Sequence, residues 1–122
     1  MSHASDQIRE EPLSVLVGRQ LSSVEFVQDY LQLRFDGPCV TAITHPRVSV
    51  GNMWLAWGNP GYRDQLCERI GKVVTRAAVI EGGEICLEFD DGSCLSISLR
   101  PNDYRAAEAV VFESGDEGWW VW

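Results

Sequence analysis

This chain is short of the features that usually announce a function. It has no apolar run near the ~18 residues that a membrane-spanning helix needs. Residues 1–12 are polar and mixed in charge, with no apolar stretch behind them, so no secretory leader is expected and the expected location is cytoplasmic. Lysine and arginine total 10 against 18 aspartates and glutamates, a formal charge of −8. That balance speaks against phosphate backbones and anionic membranes, both of which require clustered cations. There is no phosphate-binding glycine loop, no G-x-S-x-G and no H-E-x-x-H. The four cysteines, Cys39, Cys67, Cys86 and Cys94, are 28, 19 and 8 residues apart, which fits no zinc pattern. Reduced, structural thiols are the expectation.

What the 122 residues do contain is 45% hydrophobic content, ordinary for a chain that builds one core, and a sequence that repeats itself. Leu16-Val17-Gly18-Arg19-Gln20-Leu21-Ser22 aligns with Arg69-Ile70-Gly71-Lys72-Val73-Val74-Thr75. Leu31-Gln32-Leu33-Arg34-Phe35-Asp36 aligns with Ile85-Cys86-Leu87-Glu88-Phe89-Asp90, and Gly37-Pro38-Cys39-Val40-Thr41 with Gly92-Ser93-Cys94-Leu95-Ser96. His45-Pro46 meets Arg100-Pro101, and each half closes on tryptophans, Trp54 to Trp57 and Trp119 to Trp122. The expected fold is α+β and mostly antiparallel β: two pseudo-repeats of a β-meander with a short helix between them. Residues 1–11 are expected to form a flexible tail, and residues 12–122 one domain made of repeats spanning about 12–58 and 61–122.

Side-chain alternation fixes the hairpins. A two-residue loop at Asp91-Gly92 would set Leu87 opposite Ser96, mixing apolar and polar residues on one face. A three-residue loop, Asp90-Asp91-Gly92, sets Leu87 opposite Leu95 and Ile85 opposite Ile97. The latter predicts an apolar face of Ile85, Leu87, Phe89, Leu95, Ile97 and Leu99. Cys86 and Cys94 then share the other face diagonally, too far apart for easy bridging. In the first half a two-residue Asp36-Gly37 loop sets Leu33 opposite Val40 and Leu31 opposite Ala42. A helix is expected over 62–70 with Leu66 and Ile70 on one face and Gly71 as its stop. One or two helical turns are expected over 12–17, and a final strand pair at 109–113 and 119–122.

Chemistry-bearing candidates have plainer explanations. His45 occupies the place of Arg100 in the other half, as suits a strand-end surface residue better than a catalytic base. Asp90-Asp91-Gly92 lacks the alternating ligands of a calcium loop and suits a hairpin closure. No catalytic, cofactor or metal residues are therefore assigned. A small hydrolase remains a minor reading, requiring a deep polar cleft near Cys67, Cys86 or His45.

Charge and aromatics are unevenly placed. Residues 1–80 carry equal numbers of acids and bases, so the whole −8 lies in residues 81–122, whose only bases are Arg100 and Arg105. Three of five tryptophans fall in the last four residues; in a strand, Trp119 and Val121 face one way and Trp120 and Trp122 the other. Large indoles suit either core closure or a binding face.

The L-x-L-x-F-D-G and D-G-x-x-L pattern, with a helix between halves and an aromatic strand ending V-W, resembles small duplicated bacterial β-rich domains of unknown function, some encoded near toxin and immunity genes. The resemblance spans most of residues 13–122 and brings no catalytic residues with it. Together with the acidic second half it implies a non-enzymatic cytoplasmic binding protein, an immunity-like inhibitor of a basic protein partner. The candidate partner-binding residues are Glu108, Glu113, Asp116, Glu117, Trp119 and Trp120. The alternative is a homo-oligomeric module, a homodimer for instance, with a tryptophan-rich self-interface.

Overall fold

A computed structural model describes residues 8–115 and 118–122. Its framework is mostly antiparallel β, in two sheets with one small helix. In chain order the strands are β1 (Ile8–Arg9), β2 (Ser23–Val27), β3 (Tyr30–Arg34), β4 (Cys39–Ala42), β5 (Arg47–Val50), β6 (Met53–Leu55), β7 (Val74–Ile80), β8 (Glu84–Phe89), β9 (Cys94–Ser98), β10 (Val110–Glu113) and β11 (Trp119–Val121). Helix α1 spans Tyr62–Cys67, and 3-10 turns occupy Leu13–Leu16 and Pro101–Asp103.

The six-stranded sheet runs β1-β7-β8-β9-β5-β6 and the five-stranded sheet β11-β10-β4-β3-β2. Neither sheet is built from one stretch of chain. The β5–β6 hairpin leaves its sequence neighbour β4 and pairs with β9, while the β10–β11 hairpin leaves β9 and pairs with β4. Inward-facing residues of both sheets, among them Leu31, Leu33, Val40, Val110 and Phe112 from one and Val48, Ile85, Leu87, Leu95 and Ile97 from the other, form a single core. Such an exchange fastens the halves together, because separating them would strip two hairpins from their sheets.

Both hairpin registers follow the alternation rule. Ile85 faces Ile97 and Leu87 faces Leu95, and all six residues of the predicted apolar face are buried. The three-residue loop is closed by Gly92 at φ 86°, a left-handed conformation that favours glycine. In the other hairpin Leu31 pairs with Ala42 and Leu33 with Val40. Its two-residue loop places Asp36 at φ 58° and Gly37 at φ 130°, the positive values such a tight turn demands.

Three local expectations differ from the structure. Within the segment assigned to a tail, Ile8 and Arg9 pair with Ile80 and Val79, adding an edge strand to the larger sheet. Helix α1 ends at Cys67, and turns cover residues 68–71. Once the 100° step per residue is lost, Leu66 stays buried but Ile70 swings outward to 43% exposure, and Arg69 takes the inward place at 3%. Cys86 and Cys94 are diagonal, facing Ser96 and Glu88 respectively, yet their sulfurs lie 3.0 Å apart. Strand twist shortens one of the two diagonals between paired strands, which a flat pleat does not anticipate.

Candidate functional site

The last hairpin puts its residues on two surfaces. Phe112, Trp120 and Trp122 lie on the inward side: Phe112 is fully buried, and the two tryptophans are partly buried against the core. The Trp120 ring centroid is 5.8 Å from that of Phe112. Trp119 and Val121 face outward, 67% and 53% exposed. Glu113 pairs with Trp119 on one side and Cys39 on the other, and it is exposed. The candidates Trp119 and Glu113 are therefore brought together, whereas Trp120 lies on the opposite side of the same three-residue strand. Glu108 is exposed on the segment leading into β10. Asp116 and Glu117 lie outside the described residues.

Across the same outer face, Arg34 on β3 pairs with Cys39 on β4. Its guanidinium donates to Glu25 at 3.2 Å rather than to Glu113. Burial pushes the Cys39 thiol above its ordinary range, with Arg34 opposing the shift. Glu113 is thus an acidic group beside an exposed indole, and no carboxylate–cation pair occupies it among the described residues.

The acidic half does not gather on one face. Glu84 and Glu88 belong to the larger sheet, and Glu88 meets Arg76 at 3.3 Å. The loop acids Asp90 and Asp91 are engaged locally. Asp90 accepts from the backbone N–H of Val73, and Asp91 accepts from Ser93 and meets Arg69 at 2.9 Å. Partial burial disfavours charge on Asp91, but the Ser93 hydroxyl and N–H, with Arg69 and Lys72, outweigh it and hold the carboxyl below its usual range. Because β10–β11 crosses to the smaller sheet, Glu113 is separated from these groups.

A second feature was not legible in the sequence. A polar cleft of about 460 Å³ lies where the β4–β5 link and the β9–β10 link pass beside the outer face of β8, β9 and β5. Three arginines line it: Arg47, Arg100 and Arg105. So do Glu84 and Asp103, but each carboxylate already accepts from a serine, Glu84 from Ser96 and Asp103 from Ser98 at 2.5 Å. His45 also lines the cleft, stacked on Trp57 with ring centroids 3.9 Å apart and planes 6° from parallel. Arg105 Nη1 approaches both His45 nitrogens, at 3.1 and 3.4 Å, and donates to the Ile43 carbonyl at 3.4 Å. Burial, then the Arg105 charge, lower the His45 pKa and so favour the neutral imidazole. His45 is accordingly a half-buried stacking group rather than a strand-end surface residue. Trp57 also meets Tyr62 edge-on at 5.9 Å, and Arg63 lies 5.1 Å over Trp57. Tyr62 in turn donates to the Pro46 carbonyl at 2.5 Å. No cysteine lines the cleft, so a cysteine–histidine arrangement is not assembled there. The pairing of His45-Pro46 with Arg100-Pro101 was the one sequence signal at this place, since both segments border the cleft.

The Cys86–Cys94 contact is the other reactive feature. Its hydrogen bond, then burial, raise the Cys86 thiol well above its ordinary value, and the same bond lowers Cys94. The two thiols share one hydrogen bond, so loss of the first proton makes the second harder to remove.

The fold and these surfaces define a class in structural terms: a two-sheet antiparallel β protein with an outward indole beside a carboxylate and a separate arginine-lined cleft. No family model matches the chain, and no curated protein or solved structure is significantly similar to it.

Proposed function

We propose that this protein is a non-enzymatic binding module of the bacterial cytoplasm, an immunity-like inhibitor that captures a basic protein partner on its C-terminal hairpin. The observation that carries this reading is Trp119, 67% exposed beside Val121 and across from Glu113. An exposed indole offers a large anchoring area at small entropic cost. A neighbouring carboxylate with no ion pair among the described residues complements a basic surface, and the net charge of −8 steers such a surface inward. Trp120 supports the face from beneath rather than touching the partner.

The same proposal holds that the chain is a tandem duplication. In support, β2-β3-β4 and β7-β8-β9 run in the same order in their respective sheets, and each triplet is extended by the hairpin from the other half. The two helical segments also match, with Leu13 and Leu66 buried and Val17 and Ile70 exposed. A second reading, self-association through the tryptophan face, is favoured by the position of β11 at a sheet edge, where one side of its backbone pairs with no other strand among the described residues.

The test uses the tagged full chain to capture basic proteins from bacterial lysate at low salt. A charge reversal at Glu113, Asp116 and Glu117, and separately Trp119→Ala, should each abolish capture of the same protein. Capture unchanged by both overturns the docking face. Sedimentation at high concentration separates the two readings: a dimer lost on Trp119→Ala would establish self-association, and a strict monomer removes it.

A further inference from the structure

The arginine-lined cleft has no part in the docking face, and three observations make it a built site. First, Arg47, Arg100 and Arg105 line it, yet none of them forms an ion pair among the described residues, although two carboxylates line the same cleft. Serine hydroxyls hold those carboxylates instead. Second, the acidic half of the chain has only two bases, Arg100 and Arg105, and both lie here. Third, Thr44 lines the cleft at 6% exposure, and its Oγ1 is the one buried side-chain polar atom without a hydrogen-bond partner among the described residues. A buried hydroxyl left unpaired costs stability, and such atoms are rare enough that each requires an explanation. A bound acceptor in the cleft supplies one once the Thr44 side chain turns its hydroxyl toward it.

We propose that this cleft binds a small phosphate monoester, with the phosphate held by Arg47, Arg100, Arg105 and the Thr44 hydroxyl. Guanidinium groups match phosphate oxygens in paired, charge-assisted hydrogen bonds. Three cations suit a dianion better than a single carboxylate. The volume, about 460 Å³, falls within the range of small-molecule sites. Glu84 and Asp103 then face the organic part of the ligand, where carboxylates accept hydrogen bonds from hydroxyl groups. A hydroxylated ester of the sugar-phosphate type satisfies both ends of the cleft.

The test is a titration of the isotope-labelled full chain followed by amide and arginine Nε–H resonances. The probes are inorganic phosphate, glucose 6-phosphate, glucose and succinate, with chloride matching ionic strength. Saturable shifts at Thr44, Arg100 and Arg105 are expected with phosphate, at lower concentration with glucose 6-phosphate, and not with glucose. Arg100 is exposed, so Arg100→Ala leaves folding intact and should weaken binding roughly tenfold or more, with Arg100→Lys recovering part of the loss. Thr44→Val, which keeps the shape and removes the hydroxyl, should weaken binding several-fold without lowering Tm. Shifts reproduced by chloride, succinate binding as tightly as phosphate, or an Arg100→Ala titration equal to wild type would each overturn the proposal. Glu113→Lys and Trp119→Ala should bind phosphate as wild type does, so the docking reading and this one stand or fall separately.

Discussion

Asp91→Ala would probe the contact that ties the α1 segment to the β8–β9 turn. Asp91 accepts from the Ser93 N–H at 2.9 Å and from its hydroxyl at 2.5 Å, and it meets Arg69 Nη1 at 2.9 Å. Hydrogen bonds to a charged group contribute about 1.5–3 kcal/mol each. The full sum overstates the effect, since the Asp91 side chain is 34% exposed and water replaces part of what is lost. The Arg69 side chain, 4% exposed, has no such recourse. It keeps the Gln65 carbonyl at 3.1 Å and loses its only carboxylate among the described residues. Removing one member of a largely buried pair costs more than the pair was worth. The expected loss is about 2–4 kcal/mol at pH 7, which lowers Tm by roughly 6–15 °C in a chain of this size. The pH dependence identifies the cause. The folded-state pKa of Asp91 is depressed, so its contribution is complete above the unfolded value of about 3.9 and disappears as pH falls through the folded value. Urea unfolding of wild type and variant should show midpoints well separated at pH 7 that converge in acid. A loss below about 0.5 kcal/mol, the range of an ordinary surface change, would refute the reasoning. So would a gap that does not narrow with acid.

Two further substitutions test the opposite sides of β11. Trp120→Ala, against Phe112 and the core, should cost about 2–3 kcal/mol, while Trp119→Ala should change stability by less than about 0.5 kcal/mol in the same thermal melts. In a Cys67→Ser background, which removes the exposed thiol, iodoacetamide should alkylate one member of the Cys86–Cys94 pair at lower pH than the other, read by peptide mass spectrometry. The separation follows from the 3.0 Å contact, since the thiol that keeps its proton donates to the thiolate that has lost one.

Alternation was the strongest signal in the sequence. It selected a three-residue loop at Asp90 to Gly92 and a two-residue loop at Asp36-Gly37, and both registers follow. The faces of Trp119 and Trp120 were equally legible, because period two holds in any strand. Helical phase was less informative: Leu66 is buried as expected, but a helix ending three residues early moved Arg69 inward and Ile70 outward. The Cys86–Cys94 approach depends on twist, which no spacing along the chain reports.

The sequence by itself determined, for the hairpins closed at Asp36-Gly37 and at Asp90 to Gly92, which residues face the core, where the chain turns and how the strands register. These are consequences of side-chain period and of glycine at positive φ, both local properties of the chain. Only the tertiary structure decided which strands share a sheet. The β10–β11 hairpin joins β4 rather than β9, so Trp119 and Glu113 lie in the smaller sheet, apart from Glu84 and Glu88. The links of the two halves pass side by side, gathering Thr44, Arg47, Arg100 and Arg105 from distant positions into one cleft. Pairing between sequence-distant edges is governed by how two apolar faces close over a common core, and that is a property of the assembled sheets.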